Sequence, residues 1–181
     1  MLETIIRNDS TITLLKIKLE LDKIDYNREE IFNLQNEKFP ELEMTTVFGK
    51  KVNNETLFNK VTFINLWYIN CAPCLEEIPI LNELKKEYGK SVNIIGITFD
   101  NKSKVIEFLK RKAFDFDKIA GQKHFLKNNL KVESYPKILI VNKKGIVKLI
   151  SNGIQDKSSE KNNLKHNKEF LREKINELIL K

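Results

Sequence analysis

The stretch that most constrains this 181-residue chain is VTFINLWYI, residues 61–69. It is a nearly continuous apolar and β-branched run with no polar alternation, so a strand here is covered on both faces. Such a strand belongs in the middle of a layered fold, with elements packed above and below it. The next ninety residues fit that plan. A helix is predicted over Ala72–Tyr88, with Leu75, Ile78, Leu81, Leu84 and Tyr88 along one broad face and Gly89 at its end. Pro79 falls inside it and is read as a bend. VNIIGITF (residues 92–99) is a second buried strand, and KSKVIEFLKRKAF a second helix with Ser103 as its N-cap. KILIVNKKGIVKLIS (residues 137–151) reads as two strands joined by a turn at NKKG. The tail repeats Leu164, Leu171, Ile175, Leu178 and Ile179 at helical spacing, which predicts a closing amphipathic helix. A parallel crossover needs a helix and runs right-handed. The expected class is therefore α/β, a central mixed sheet with helices on both faces.

The residues before 60 are less periodic. LLKIKLEL (residues 14–21) alternates like a half-buried strand, and NREEIFNLQNEKF reads as a short helix capped by Asn27 and ending before Pro40. LEMTTVFGKKVN, with Gly49, predicts a hairpin. We divide the chain into an N-terminal extension, residues 1–38, for which the sequence suggests no role, and a main domain, residues 39–181. The 32 Lys and Arg outweigh 25 Asp and Glu to give a formal charge of +7. The excess is mostly lysine, scattered among acids, and arginine occurs only at Arg7, Arg28, Arg111 and Arg172. That is a solvated surface rather than a nucleic-acid footprint. No run approaches the ~20 apolar residues of a membrane span. Charges interrupt the first 21 residues where a signal peptide would be apolar. Two readings are open: a cytoplasmic chain, or a mature chain whose export signal or anchor is missing.

The chemistry lies in WYINCAPCLEEIP (residues 67–79), which holds the chain's two cysteines, Cys71 and Cys74. A structural zinc site wants four ligands, and the only histidines, His124 and His166, lie far from the cysteines and from each other. A purely structural disulfide gains with the length of loop it closes, and this one closes almost nothing. A redox pair has a local physical basis. Cys71 ends a strand and opens a helix, where free N–H groups and the helix dipole favour a thiolate. Thiolate is the form that attacks disulfides. Cys74, one turn on and more enclosed, suits the resolving thiol, and Pro73 stiffens the first turn at no cost in hydrogen bonds. Glu77 shares the helix face of Cys74, where a partly buried carboxyl is able to take and return a proton. Spacing alone equally allows a solvated glutamate, like its neighbour Glu76.

The string Trp67, Cys71, Pro73, Cys74, Glu77, Pro79 (W-x-x-x-C-x-P-C-x-x-E-x-P), with Tyr135-Pro136 later in VESYPKILIVNKKG, resembles the thioredoxin superfamily and, more narrowly, its TlpA/ResA-like branch. The resemblance covers roughly residues 39–155 and implies a thioredoxin-like fold. It further implies a cis Pro136 beside the cysteines, a substrate groove including Trp67, Ala72, Pro73 and Tyr135, and Glu77 as the active-site acid. Asn65 falls where ordinary thioredoxins carry a buried acid, and its amide cannot shuttle a proton. Asn70 departs from the branch, which often has tryptophan there. The implied activity is thiol-disulfide exchange on a protein disulfide, fed by an upstream thiol donor, in the cell envelope, without cofactor or metal. The lack of a histidine between the cysteines tilts the direction toward reduction. Two alternatives are a docking module without turnover and a peroxiredoxin-like peroxide reductase. The second lacks the usual threonine, since Tyr68 stands there, and has no distant resolving cysteine.

Overall fold

The computed structural model describes residues 29–154 and 162–180, the latter by backbone alone over 162–167. The strand predicted at 14–21 and the cap predicted at Asn27 lie outside the described residues. In place of the longer helix expected after Asn27 there is one 3-10 turn, Glu30–Leu34, whose Ile31 is fully buried. The expected hairpin is present as β1 (Glu43–Thr45) and β2 (Lys51–Asn53), with Met44 opposite Val52. It runs into α1 (Asn54–Phe58), a short helix with no sequence periodicity to announce it. A capping box starts that helix: the Asn53 side chain accepts from the Thr56 N–H, and the Thr56 hydroxyl accepts from the Asn53 N–H.

The central strand is β3 (Val61–Trp67), buried at every position. After it come α2 (Ala72–Tyr88), β4 (Val92–Thr98), α3 (Lys102–Leu109), β5 (Asp117–Ile119), β6 (Lys137–Val141), β7 (Val147–Ser151) and α4 (Asn162–Ile179). The sheet order is β5-β4-β3-β6-β7. Strands β4 and β5 run parallel to β3, whereas β6 pairs antiparallel with β3 and β7 antiparallel with β6. Helix α2 runs unbroken through Pro79, whose ring is exposed. Helix α3 is capped by Asn101, not by Ser103 as expected. The Asn101 carboxamide oxygen accepts from the Lys104 N–H at 2.9 Å and from the Ser103 hydroxyl at 2.9 Å, so the serine supports the cap instead of forming it. Strand β5 and a π-helical turn at Phe125–Asn129 were not anticipated.

The strand period of two sorts β3 into two core layers. Val61, Phe63 and Trp67 face a layer closed by α2, α3 and α4, which contributes Leu171, Ile175 and Leu178. Ile64 and Leu66 face a second layer made by Ile31, Phe39, Val52, Leu57, Phe58, Phe125 and Leu126. The same alternation puts Asn65 on the first face, between Phe63 and Trp67 and under α2. Trp67 packs on Phe114 at 4.7 Å between ring centroids and on Phe108 at 5.7 Å. Gly96, opposite Asn65 in the register, makes room for that indole: a Cβ there would meet its Nε1 at 2.9 Å.

Candidate active site

A chain leaving a buried parallel strand emerges at its C-terminal edge, and here it turns at once into α2. The turn is fixed by the Cys71 N–H, which donates to the Tyr68 carbonyl at 3.2 Å, and by the Ile69 N–H, which donates to the Asp100 carboxylate at 2.7 Å. Cys71 is the N-cap of α2: its sulfur accepts from the Cys74 N–H at 3.2 Å and its carbonyl from the Leu75 N–H at 3.1 Å. The two cysteines are joined as a disulfide, with Cα atoms 5.2 Å apart. Both are enclosed, Cys71 at 3% exposure and Cys74 at 1%, so the contrast between an open and a covered thiol is slight in this oxidised form. Ala72 and Pro73 are exposed between them.

One turn further, Glu76 is exposed and Glu77 is fully buried, which separates two neighbours that spacing could not. The Glu77 carboxylate accepts from the Ile154 N–H at 2.6 Å and from the Asn65 amide at 3.4 Å. Burial pushes its pKa up from 4.5 to about 7, and those two hydrogen bonds oppose the shift only in part. The other end of the Asn65 amide, Oδ1, is buried without a hydrogen-bond partner among the described residues.

The Tyr135–Pro136 peptide is cis. Because Leu66 pairs with Lys137 in the antiparallel register, this proline lies at the same sheet edge from which the chain runs to the cysteines. Tyr135 packs edge-on against Tyr68 at 5.5 Å and against Phe99 at 5.6 Å, and Tyr68 stacks on Phe99 at 5.2 Å. The three rings join the turn before Cys71 to the proline loop. Burial, then the nearby charge of Asp100, pushes the Tyr135 phenol up to about 12. A cavity of about 580 Å³ opens beside them, lined by Phe99, Leu126, Val132 and Tyr135, with Glu30 at its wall.

Sequence reasoning missed Gly153 and Ile154. Gly153 has φ +90°, and a Cβ there would collide with the Glu77 carboxylate and lie 2.5 Å from the Pro136 ring. The turn after β7 therefore holds the acid and the proline together. Its only signal was a glycine just past a strand, in SNGI. Missed also was the ion pair of Glu29 with Lys137, at 2.8 Å. A lysine opening the apolar run KILIV was the trace it left.

A mixed sheet of this strand order, with a disulfide at the start of the helix after its central strand, defines a thioredoxin-like fold of the thiol-disulfide oxidoreductase type. Residues 35–150 match the AhpC/TSA family, and the chain belongs to that family. It is 25% identical over 135 residues to the thioredoxin-like protein YneN of Bacillus subtilis, covering 73% of this chain and 79% of that protein. It is 28% identical over 127 residues to the thiol-disulfide oxidoreductase ResA of Geobacillus thermodenitrificans, covering 69% and 73%. Its fold matches a chain described as the thiol:disulfide interchange protein DsbE of Chlorobium tepidum, with a TM-score of 0.68, 19% identity, and 80% and 97% of the two chains covered. It also matches the exposed lipoprotein thioredoxin Etrx1 of Streptococcus pneumoniae, with a TM-score of 0.57, 19% identity, and 70% and 99% covered. Among the described residues no cluster of His, Cys, Asp or Glu suits a metal ion, and no helix is long and apolar enough to cross a membrane.

Proposed function

We propose that this chain reduces protein disulfides, with Cys71 as attacking thiol, Cys74 as resolving thiol and Glu77 as the group that moves the resolving proton. The observation that carries the reading is the wholly buried Glu77 carboxyl, poised near neutral pH, three residues after Cys74 on one helix face. The Cys71 thiolate attacks one sulfur of the substrate disulfide, that S–S bond breaks, and one substrate cysteine leaves as thiolate. Cys74 then gives its proton to Glu77 and attacks the Cys71 sulfur. The mixed disulfide breaks, the second substrate cysteine leaves, and two electrons have passed to the substrate while the Cys71–Cys74 bond has formed. A donor dithiol restores the pair by the same exchange in reverse.

Pro136, Trp67, Ala72, Pro73 and Tyr135 shape the groove in which the substrate chain lies, Trp67 by packing from beneath. Asn65 fits the proton step because its amide donates to the ionised carboxylate and, turned over, accepts from the protonated one. We place the activity in residues 39–181, and the protein in the cell envelope, on its resemblance to the ResA-like branch. Cys71→Ser is expected to abolish reduction of insulin disulfides while leaving the far-UV circular dichroism, and so the fold, unchanged. Retained turnover would sink the mechanism. Fractionation of the source cells tests the location, and recovery in the cytosol alone would overturn it.

A further inference from the structure

One side chain outside the cysteine site, Glu29, makes four hydrogen bonds to the residues that flank Tyr135-Pro136. Glu29 Oε1 accepts from the Lys137 ammonium at 2.8 Å and from the Ser134 hydroxyl at 2.6 Å, and its Oε2 accepts from the Ser134 N–H at 3.2 Å and the Glu133 N–H at 3.3 Å. These donors bracket Tyr135-Pro136 on both sides. Lys137 is 0% exposed and the Glu29 side chain 18%. Among the described residues the ammonium also donates to the Ser134 carbonyl at 3.0 Å and to the Ser134 hydroxyl at 2.6 Å, so its bonds tie Glu29 to the loop. Burial alone would raise the Glu29 pKa, but the bonds from Lys137, Ser134 and Glu133 hold it below its ordinary value, and the carboxylate stays charged at neutral pH. The next residue, Glu30, lines the same cavity as Val132, Glu133 and Tyr135.

The geometry points to Glu29 as a positioning residue: the segment before the main domain clamps the cis-proline loop and so sets the groove that receives the substrate chain. This rests on the proposed reductase reading for its kinetic consequence but not for its structural one. Glu29 touches neither cysteine nor Glu77, so the clamp acts on substrate binding rather than on sulfur chemistry.

The test uses the full chain with Glu29→Gln, which keeps the shape and removes the charge. Losing charge-assisted bonds is expected to speed hydrogen exchange at the Glu133 and Ser134 amides about tenfold and to raise KM for insulin disulfides about tenfold. Both kcat and the pH dependence of Cys71 alkylation by iodoacetamide are expected to stay within about twofold, because the reacting groups are untouched. Exchange and KM both unchanged would overturn the inference. So would a shift of the alkylation curve, which would mean Glu29 acts through the cysteines. Should Glu29→Gln fail to fold, the double variant Glu29→Leu/Lys137→Met leaves no unpaired buried charge and lacks the carboxylate. It is expected to show the same two changes, and wild-type values in it would overturn the inference. If wild type does not turn over insulin, the reductase reading fails, and the exchange measurement alone decides whether Glu29 holds the loop.

Discussion

At Glu77 two demands meet in one carboxyl: it is sealed from water, yet held by donors that favour its charged form. Its folded pKa of about 7 lies above the ordinary 4.5, so the folded state binds a proton more tightly than the unfolded chain does. The stability this contributes is complete below pH ~4.5 and is lost as pH rises through about 7, a total on the order of 3 kcal/mol. The oxidised protein is expected to lose melting temperature between pH 5 and 8, and Glu77→Gln to flatten that loss. Parallel curves for the two proteins would contradict the assignment. In the same variant the resolving step, tracked by release of thiol from a mixed disulfide, is expected to slow about 100-fold near pH 7. An unchanged rate would remove Glu77 from the proton path.

At the scale of elements, the turn after β7 ties α2 to the proline loop through Gly153 and Ile154. Gly153→Ala puts a methyl group against both Glu77 and Pro136 and places a side chain at φ +90°. A loss of roughly 1–3 kcal/mol is expected from urea unfolding, with Cys71 alkylation altered as well. A variant as stable and reactive as wild type would show that the turn is free to move. This contact also marks where the sequence stopped being readable. Strands β3, β4 and β6 and helix α2 were legible because each buries an apolar run or a helical face, and β7 through the turn that joins it to β6. The cysteine pair was legible through local spacing. Strand β5 has three residues and exists because β4 offers it an edge, and α1 has five and depends on its capping box. Asn101 and Ser103 are both good caps, and only the path of the chain from Thr98 to Lys102 chose between them. The joining of residues 77, 136 and 153 is a property of the assembled sheet, with no local pattern to carry it.

For the whole molecule, the described part of the N-terminal segment is built into the second core layer. Ile31 is fully buried there with Phe39, Leu126 and Leu130, and Lys38 bridges to Ile146 just before the edge strand β7. Ile31→Ala is expected to cost about 2–5 kcal/mol in chemical denaturation, as for a core position. A cost near zero would mean the segment only rests on the domain. If the Glu29 clamp holds, residues 29–38 contribute both to this core layer and to the shape of the active face.

The direction of electron flow depends on how strongly the reduced pair is stabilised. Alanine and proline between the cysteines supply no cationic group to hold a thiolate, and the buried Glu77 adds none. Equilibrating the Cys71–Cys74 couple against dithiothreitol and glutathione, with Trp67 fluorescence as readout, gives its reduction potential. A value near −270 mV, roughly the thioredoxin level, is the result expected of a disulfide reductase. A value near −120 mV, about that of a strong oxidant, would mean that the pair donates disulfides and would contradict the account.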